Sequence, residues 1–509
     1  MKFHEFRQMA RRAKTGMLSL SPFGFLMLTA CASTTPGPEA PTPRNPFAAI
    51  DSVVQIDFYE TQWGIEVLDR TSNRIIVAHN PLRHFIPASN TKLVVTTVAM
   101  GTLGPEFRYR TPFYLSGAPG DSAPRGLLIA GRGDPTMSGR FHGGDDFAVA
   151  KGLADSLYAK GVRRINGDIV VDASYFTPER VHSSWETGDL PWYYAAPTSA
   201  FAIAEGALRL IVSAGAARGA PVTALVVGAE IPMPVAIRAT TDTLGARSSI
   251  DVDYEAWPDT LVITGSIGIG KADSSWIAIP DQASFAAQAL RDALARRGIS
   301  TTGVVRVARD TTTARALRAA FDTTTPSLTW TSAPMAEIIA AILKPSQNWI
   351  AEQLLRTLGA HYRGQGSWSA GLNVERRYLI DVARIDSTAF SLRDGSGLSA
   401  QNLLSPRATL LLLEHARQTP WGQQYHAALP APGMRGGTLS TRLAGLESKL
   451  VAKTGTIANV NSLSGYLQTL DGRELTFSIY SNASGRASAD IRRAIDRIVN
   501  TLAREKPNL

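Results

Sequence analysis

The stretch Pro87-Ala-Ser-Asn-Thr-Lys-Leu-Val-Val-Thr-Thr-Val-Ala-Met100 decides how this chain is read. Its apolar run predicts a helix, with Ser89 or Asn90 placed to cap it and Gly101 to end it. Within it, Ser89-Asn-Thr-Lys92 sets a serine and a lysine at i and i+3. These positions share a helix face, so the amine reaches the hydroxyl. A serine needs a base to become a nucleophile, and a neutral lysine amine can serve. The helix N-terminus favours an anion developing beside it. A serine-x-x-lysine pair arises readily by chance in 509 residues, so its meaning depends on what surrounds it.

Immediately upstream, Trp63-Gly-Ile-Glu-Val-Leu68 and Arg74-Ile-Ile-Val-Ala78 read as two strands around a turn, with folded structure starting near residue 47. Downstream, from 101 to about 325, short β-type runs alternate with Gly, Pro and Asp. Gly126-Leu-Leu-Ile-Ala130, Asp168-Ile-Val-Val-Asp172, Ala207-Leu-Arg-Leu-Ile-Val212 and Thr260-Leu-Val-Ile-Thr264 are examples, with one helix over 283–297. Helical spacing returns at 336–343, is broken by Pro345, and resumes at 349–358. Two strands around an Asp471-Gly472 turn and an amphipathic helix carrying Ile491, Ile495, Ile498, Val499 and Leu502 close the chain. A strand-helix front and a helix-strand back, parted by a β-rich block, fit one α/β (α+β) domain over 47–100 plus 325–509. The insertion would span 101–324 and form two subdomains.

Two further motifs lie in the back half. Ser346-Gln-Asn348 follows Pro345 between two predicted helices; alone, such a serine reads as a helix cap, but its hydroxyl can relay a proton and Asn348 can bind an amide. Lys453-Thr-Gly455 lies on a predicted strand, where the lysine can hold a carboxylate and add positive potential that lowers the pKa of Lys92. Gly455 permits close backbone approach. Lys14-Thr15-Gly16 repeats the third motif by chance near the N-terminus.

In order and context, these three motifs resemble the active-site set of penicillin-binding proteins and serine β-lactamases. The 253 residues between Lys92 and Ser346 narrow the likeness to the class C low-molecular-mass penicillin-binding proteins, the D-alanyl-D-alanine carboxypeptidase/endopeptidase family. Gly131-Arg-Gly-Asp-Pro-Thr136, Asp189-Leu-Pro-Trp-Tyr-Tyr-Ala-Ala-Pro-Thr-Ser-Ala200, Asp394-Gly-Ser-Gly-Leu-Ser399 and Asn461-Ser-Leu-Ser-Gly-Tyr466 are similar to segments of that family, so the resemblance covers roughly residues 50 to 500. Two positions depart from it: Gln347 stands where the family usually has Asp, and Ala400 where it often has Arg.

The resemblance implies a two-step acyl transfer on peptidoglycan stem peptides. Ser89 would attack the D-Ala-D-Ala carbonyl with Lys92 as base. Ser346 would return the proton to the leaving amine, Lys453 and Thr454 would hold the terminal carboxylate, and Asn348 an amide. The backbone N–H groups of Ser89 and Thr456 would form the oxyanion hole, with Gly455 and Ser396 also lining the substrate site. β-Lactams would acylate Ser89 as covalent inhibitors. The scheme calls for no cofactor and no metal. His84 lies near Ser89, but a single histidine in a strand-to-helix loop reads as structural, and no Gly-x-Ser-x-Gly is present. Two alternatives stand beside this reading: a β-lactamase or esterase on the same scaffold, and an inactive, envelope-tethered homologue that binds peptidoglycan.

Composition agrees with a folded, exported protein. Hydrophobic residues make up 44% and charged residues 19%, and the length exceeds a single core. The net charge is +9, with five Lys/Arg against one Glu in the first 30 residues. No long basic run supports nucleic-acid binding. Arg7, Arg11, Arg12 and Lys14, an apolar stretch from Met17 to Ala30, and Leu28-Thr-Ala-Cys31 read as a lipoprotein-type signal peptide over 1–30. Cys31, the one cysteine, becomes the lipid-bearing mature N-terminus. It would anchor the chain to a membrane on the periplasmic side, through a Pro/Thr-rich tether over 31–46.

Overall fold

The structure, a computed structural model, describes residues 47–118, 120–230, 233–255 and 260–504. The expected signal, Cys31 and tether lie outside the described residues. Five strands build the central sheet: β1 (Gln62–Asp69), β2 (Arg74–His79), β3 (Leu450–Ile457), β4 (Val460–Gln468) and β5 (Glu474–Asn482). Their order is β2-β1-β5-β4-β3, and every pairing is antiparallel. The helices that matter to the site are α1 (Lys92–Thr102), α2 (Met335–Leu343), α3 (Asn348–Arg363), α4 (Pro406–Gln418) and α5 (Ser488–Arg504).

Alternation along the strands sorts the two faces. Trp63, Ile65 and Val67 join Leu463, Phe477 and Ile479 in one core with Ile491, Ile495, Ile498, Val499 and Leu502 of α5. Each of those α5 side chains is essentially fully buried, an effect worth roughly 1.5–3 kcal/mol apiece. On the opposite face, buried Glu66 takes Arg407 of α4, whose Nε lies 2.7 and 2.6 Å from its two oxygens. Tyr466 Oη donates to Leu413 O at 2.6 Å. Helices α1 to α4 then enclose a second core around Leu93, Val94, Val98, Ile338, Ile342, Ile350 and Leu354.

Between α1 and α2 the chain builds separate sheets. One has five strands in the order 305–308, 169–172, 127–130, 110–115 and 328–331. Helices Ala148–Ala159 and Gln282–Arg297 contribute to its core, and the short helix Thr311–Arg318 lies beside strand 305–308. A second group of short strands over 207–278 has its own core around Leu210, Val252, Leu261 and Ile277. The expected β-rich character therefore holds for the second group, whereas the first is mixed. Helices 148–159 and 311–318 escaped the sequence pattern: the first contains Gly152 and has no side-chain cap, and the second opens on three β-branched threonines.

Candidate active site

The start of α1 departs from the sequence expectation. Neither Ser89 nor Asn90 caps it. A 3₁₀ turn over Ala88–Thr91 precedes the α-helix, no side chain caps either element, and Gly101 falls inside the last turn. Ser89 Oγ is thereby left free of the backbone and faces Lys92, whose Nζ lies 2.8 Å away. The same amine donates to Asn348 Oδ1 and to Ser396 O, both at 2.6 Å. Lys92 is fully buried. Burial lowers its pKa from 10.5 to about 7, against the opposing fields of Asp394 and Glu352. Burial, not the expected potential of Lys453, is the cause of this lowering.

Lys453, equally buried, points from β3 at the second serine. Its Nζ donates to Ser346 Oγ at 2.8 Å and to Thr454 O at 2.7 Å. Burial first, and then the charge of Lys92, hold its pKa well below that of a free lysine. Ser346 occupies a left-handed backbone conformation (φ +66°), a strain of order 1–3 kcal/mol that only a fixed surrounding maintains. The capping expected of such a serine passes to Gln347, whose Oε1 accepts from Trp349 N at 2.6 Å.

A loop and a strand close on the Ser89 turn, each with a glycine at the point of approach. At Gly397 (φ +80°) a Cβ would lie 1.9 Å from Ala88 O; at Gly455 it would lie 3.0 Å from Ser89 N and 2.2 Å from Ser462 Oγ. Ser462 Oγ in turn donates to Pro87 O at 2.8 Å. Strand β3 thus packs directly on the backbone of the nucleophile turn. Thr454 and Thr456 lie on that strand; Thr454 Oγ1 donates to Thr438 Oγ1 at 2.8 Å and Thr456 Oγ1 to Gly455 O at 2.8 Å.

The loop 394–399 is organised by two buried carboxylates. Asp394 accepts from Gly397 N, Ser399 N and Asn402 Nδ2 at 2.7–2.8 Å and from Trp185 Nε1 at 3.0 Å. Glu352 accepts from Ser396 N and Trp368 Nε1, both at 2.7 Å, and burial raises its pKa to about 7. Ser396, expected to line the substrate site, is itself fully buried; its carbonyl holds Lys92 and its Oγ accepts from Leu398 N at 3.3 Å. Asn348 is likewise occupied on both sides, its Nδ2 donating to Tyr194 O at 2.8 Å. His84 donates to or accepts nothing at Ser89; its Nε2 contacts Thr388 O at 2.7 Å, the structural use expected of it.

Sequence reasoning missed Glu352, Asp394 as a loop organiser, and Tyr194. Glu352 was visible as a carboxylate one helical turn after Asn348, where it shares that residue's face. Tyr194 acts through its carbonyl, which no side-chain pattern reports.

A half-buried serine in the turn before a helix meets a fully buried lysine at that helix's start, beside a five-stranded antiparallel sheet whose edge strand carries a second lysine bonded to a second serine, an arrangement that can support serine acyl transfer. The model of the D-Ala-D-Ala carboxypeptidase 3 (S13) family matches residues 48–502, and the chain belongs to that family. It is 31% identical over 446 residues to the D-alanyl-D-alanine carboxypeptidase of Actinomadura sp. (strain R39), covering 85% of this chain and 80% of that protein. It is 23% identical over 430 residues to the D-alanyl-D-alanine carboxypeptidase DacB of Haemophilus influenzae, covering 82% and 84%. The fold matches the crystal structure of penicillin binding protein 4 (dacB) from H. influenzae with a TM-score of 0.76 at 22% identity, over 89% of this chain and 98% of that one.

Proposed function

We propose that the chain is a serine-type D-Ala-D-Ala carboxypeptidase and DD-endopeptidase of peptidoglycan stem peptides, acting through an acyl-enzyme on Ser89 and inhibited by β-lactams. The observation that carries this is the buried amine of Lys92, 2.8 Å from Ser89 Oγ and lowered to about 7. Such an amine is substantially neutral near pH 7 and can take the serine proton.

In acylation, neutral Lys92 accepts the Ser89 proton while Oγ bonds to the carbonyl carbon of the penultimate D-Ala. The oxygen becomes an oxyanion, held by the backbone N–H groups of Ser89 and Thr456. Such donors are worth roughly 3 kcal/mol each. The C–N bond then breaks, and the leaving amine takes a proton through Ser346 from the pair of lysines. Lys453 and Thr454 bind the terminal carboxylate; an arriving anion favours the charged form of Lys453 and offsets the burial that lowers it. Water hydrolyses the ester by the same base. Asn348 and Ser396 act here through Lys92, fixing the amine by an amide oxygen and a backbone carbonyl. A β-lactam amide bond opens by the first step alone. Among the described residues, no helix is long and apolar enough to cross a membrane. The proposed attachment is a lipid on Cys31 after removal of residues 1–30, with 31–46 as tether and the envelope outside the cytoplasm as the compartment. The proposed division is a catalytic body of 47–100 plus 325–509 carrying 101–324, and the pairing of strand 328–331 with 110–115 favours a second junction a few residues later.

The test is digestion of defined muropeptides followed by mass spectrometry. Pentapeptides should lose one D-Ala and cross-linked dimers should fall to monomers. Intact substrates with a folded protein would overturn the assignment.

A further inference from the structure

Gln347 stands where the family usually carries an acid, and its amide has two distinct partners. Oε1 accepts from Trp349 N at 2.6 Å and caps α3; Nε2 donates to Glu205 Oε2. Glu205 belongs to the segment inserted between α1 and α2. It is held there by Arg140, whose Nε and Nη2 donate to its two oxygens at 2.5 and 2.9 Å, and by Ser138 Oγ at 3.3 Å. The backbone beneath it is fixed as well: Ala204 N donates to Met137 O at 3.0 Å, and Gly133 N to Ala200 O at 2.7 Å. The 131–136 loop therefore supports the segment that presents Glu205.

Both sides of this contact are strained. Ala204 and Glu205 have φ of +58° and +52°, and Ser346, the neighbour of Gln347, has +66°. Left-handed non-glycine residues persist where several contacts over-determine them. Ser346 has Lys453 on its hydroxyl, and its neighbour Gln347 is pinned by its backbone N–H to Ile342 O at 3.0 Å, by Trp349 N and by Glu205. We infer that Glu205 is a positioning residue for the acylation site: it holds the Ser346 loop through the amide of Gln347, and the amide is required because its partner is a carboxylate. This rests on the reading of Ser89, Lys92, Ser346 and Lys453 as the acylation machinery.

An acid at 347 would face Glu205, with Asp146 close by and, among the described residues, Arg140 the one cation paired with Glu205. Two carboxylates in contact share a proton or separate. The experiment measures the second-order acylation constant with a fluorescent penicillin from pH 5.5 to 8.5 for wild type, Gln347→Glu, Glu205→Gln and the double variant. Gln347→Glu preserves shape and the capping oxygen. Expected is a loss of about 10- to 100-fold relative to wild type at pH 8.5, narrowing toward pH 5.5 as the pair takes up a proton. The double variant restores the amide–carboxylate contact with its polarity reversed and returns to within about threefold of wild type. If Gln347→Glu does not fold, Glu205→Gln and Glu205→Ala replace it. The glutamine keeps an oxygen acceptor and should lose less than the alanine. Wild-type rates in Gln347→Glu at every pH, a loss independent of pH and unrestored in the double variant, or equal losses in the two Glu205 variants would overturn the inference. Failure of the wild type itself to be acylated would instead overturn the proposed function.

Discussion

If Lys92 is the general base, acylation follows its free amine. With a pKa of 10.5 a lysine is about one part in three thousand neutral at pH 7; lowered to about 7 by burial, it is about half neutral. Protonating this amine removes the base, so the rate falls as pH falls. Between pH 7.5 and 5.5 the neutral fraction drops about 25-fold, and above pH 8 it is saturated. The assay is the second-order rate of acylation by a neutral-side-chain penicillin in buffers of constant ionic strength. A second perturbation moves the midpoint. Asn348→Asp is isosteric and puts a carboxylate at the atom 2.6 Å from Nζ. It stabilises the ammonium and should shift the midpoint upward by one pH unit or more, with a matching loss at pH 7. A rate flat from pH 5.5 to 7.5 would refute the role of Lys92. A tenfold rise per pH unit continuing through pH 9 would refute the lowered pKa, because the lysine would then have an ordinary one.

Three other outcomes are expected. Glu375 is fully buried, neither carboxylate oxygen has a hydrogen-bond partner among the described residues, and burial raises its pKa well above 4.5. A raised acid means that the unfolded state loses its proton first, so stability drops by up to about 1.4 kcal/mol per pH unit above 4.5 until the folded pKa is passed. Glu375→Gln should match wild-type Tm at pH 4 and exceed it by a few degrees at pH 8, as differential scanning calorimetry would measure; equal Tm at pH 8 would contradict this. Gly397→Ala places a methyl 1.9 Å from Ala88 O at a φ of +80°. It should shift the nucleophile turn and lower acylation by on the order of 100-fold, as stopped-flow kinetics would show. Cys31→Ala should move the full chain from the membrane to the soluble fraction on centrifugation, and a chain that stays in the membrane would remove the lipid-anchor proposal.

The sheet was legible from the sequence because its strands alternate sharply: Trp63, Ile65 and Val67 against Gly64 and Glu66. Terminal helix α5 was equally plain, since its apolar residues recur every three or four positions. Ser89, Lys92, Ser346 and Lys453 stood out because short motifs kept their order along the chain, and the structure pairs Ser89 with Lys92 and Ser346 with Lys453. What sequence could not supply was the second half of each contact. Asn348 carries a side chain suited to a substrate amide, yet its Nδ2 meets a backbone carbonyl 154 positions away. Ser396 has a hydroxyl, but contributes a carbonyl to Lys92. The start of α1 was misassigned because a 3₁₀ turn and a capped α-helix share the same residue preferences. The insertion also belongs to the site more closely than a linear division suggests. Tyr194, Pro197, Ser199 and Glu205 all bond to the stretch from Gln347 to Gln353, so the 254-residue separation of Lys92 and Ser346 in number brings one wall of the site with it.

The most direct test of Ser89 as the nucleophile is intact-mass analysis of the purified protein after incubation with a penicillin, alongside Ser89→Ala. A single adduct of the drug's mass is expected on the wild type, located by peptide mapping at Ser89, and none on the variant. An adduct of equal yield on Ser89→Ala, or no adduct at any concentration while the penicillin stays intact, would contradict it; penicillin consumed with no adduct would favour a β-lactamase.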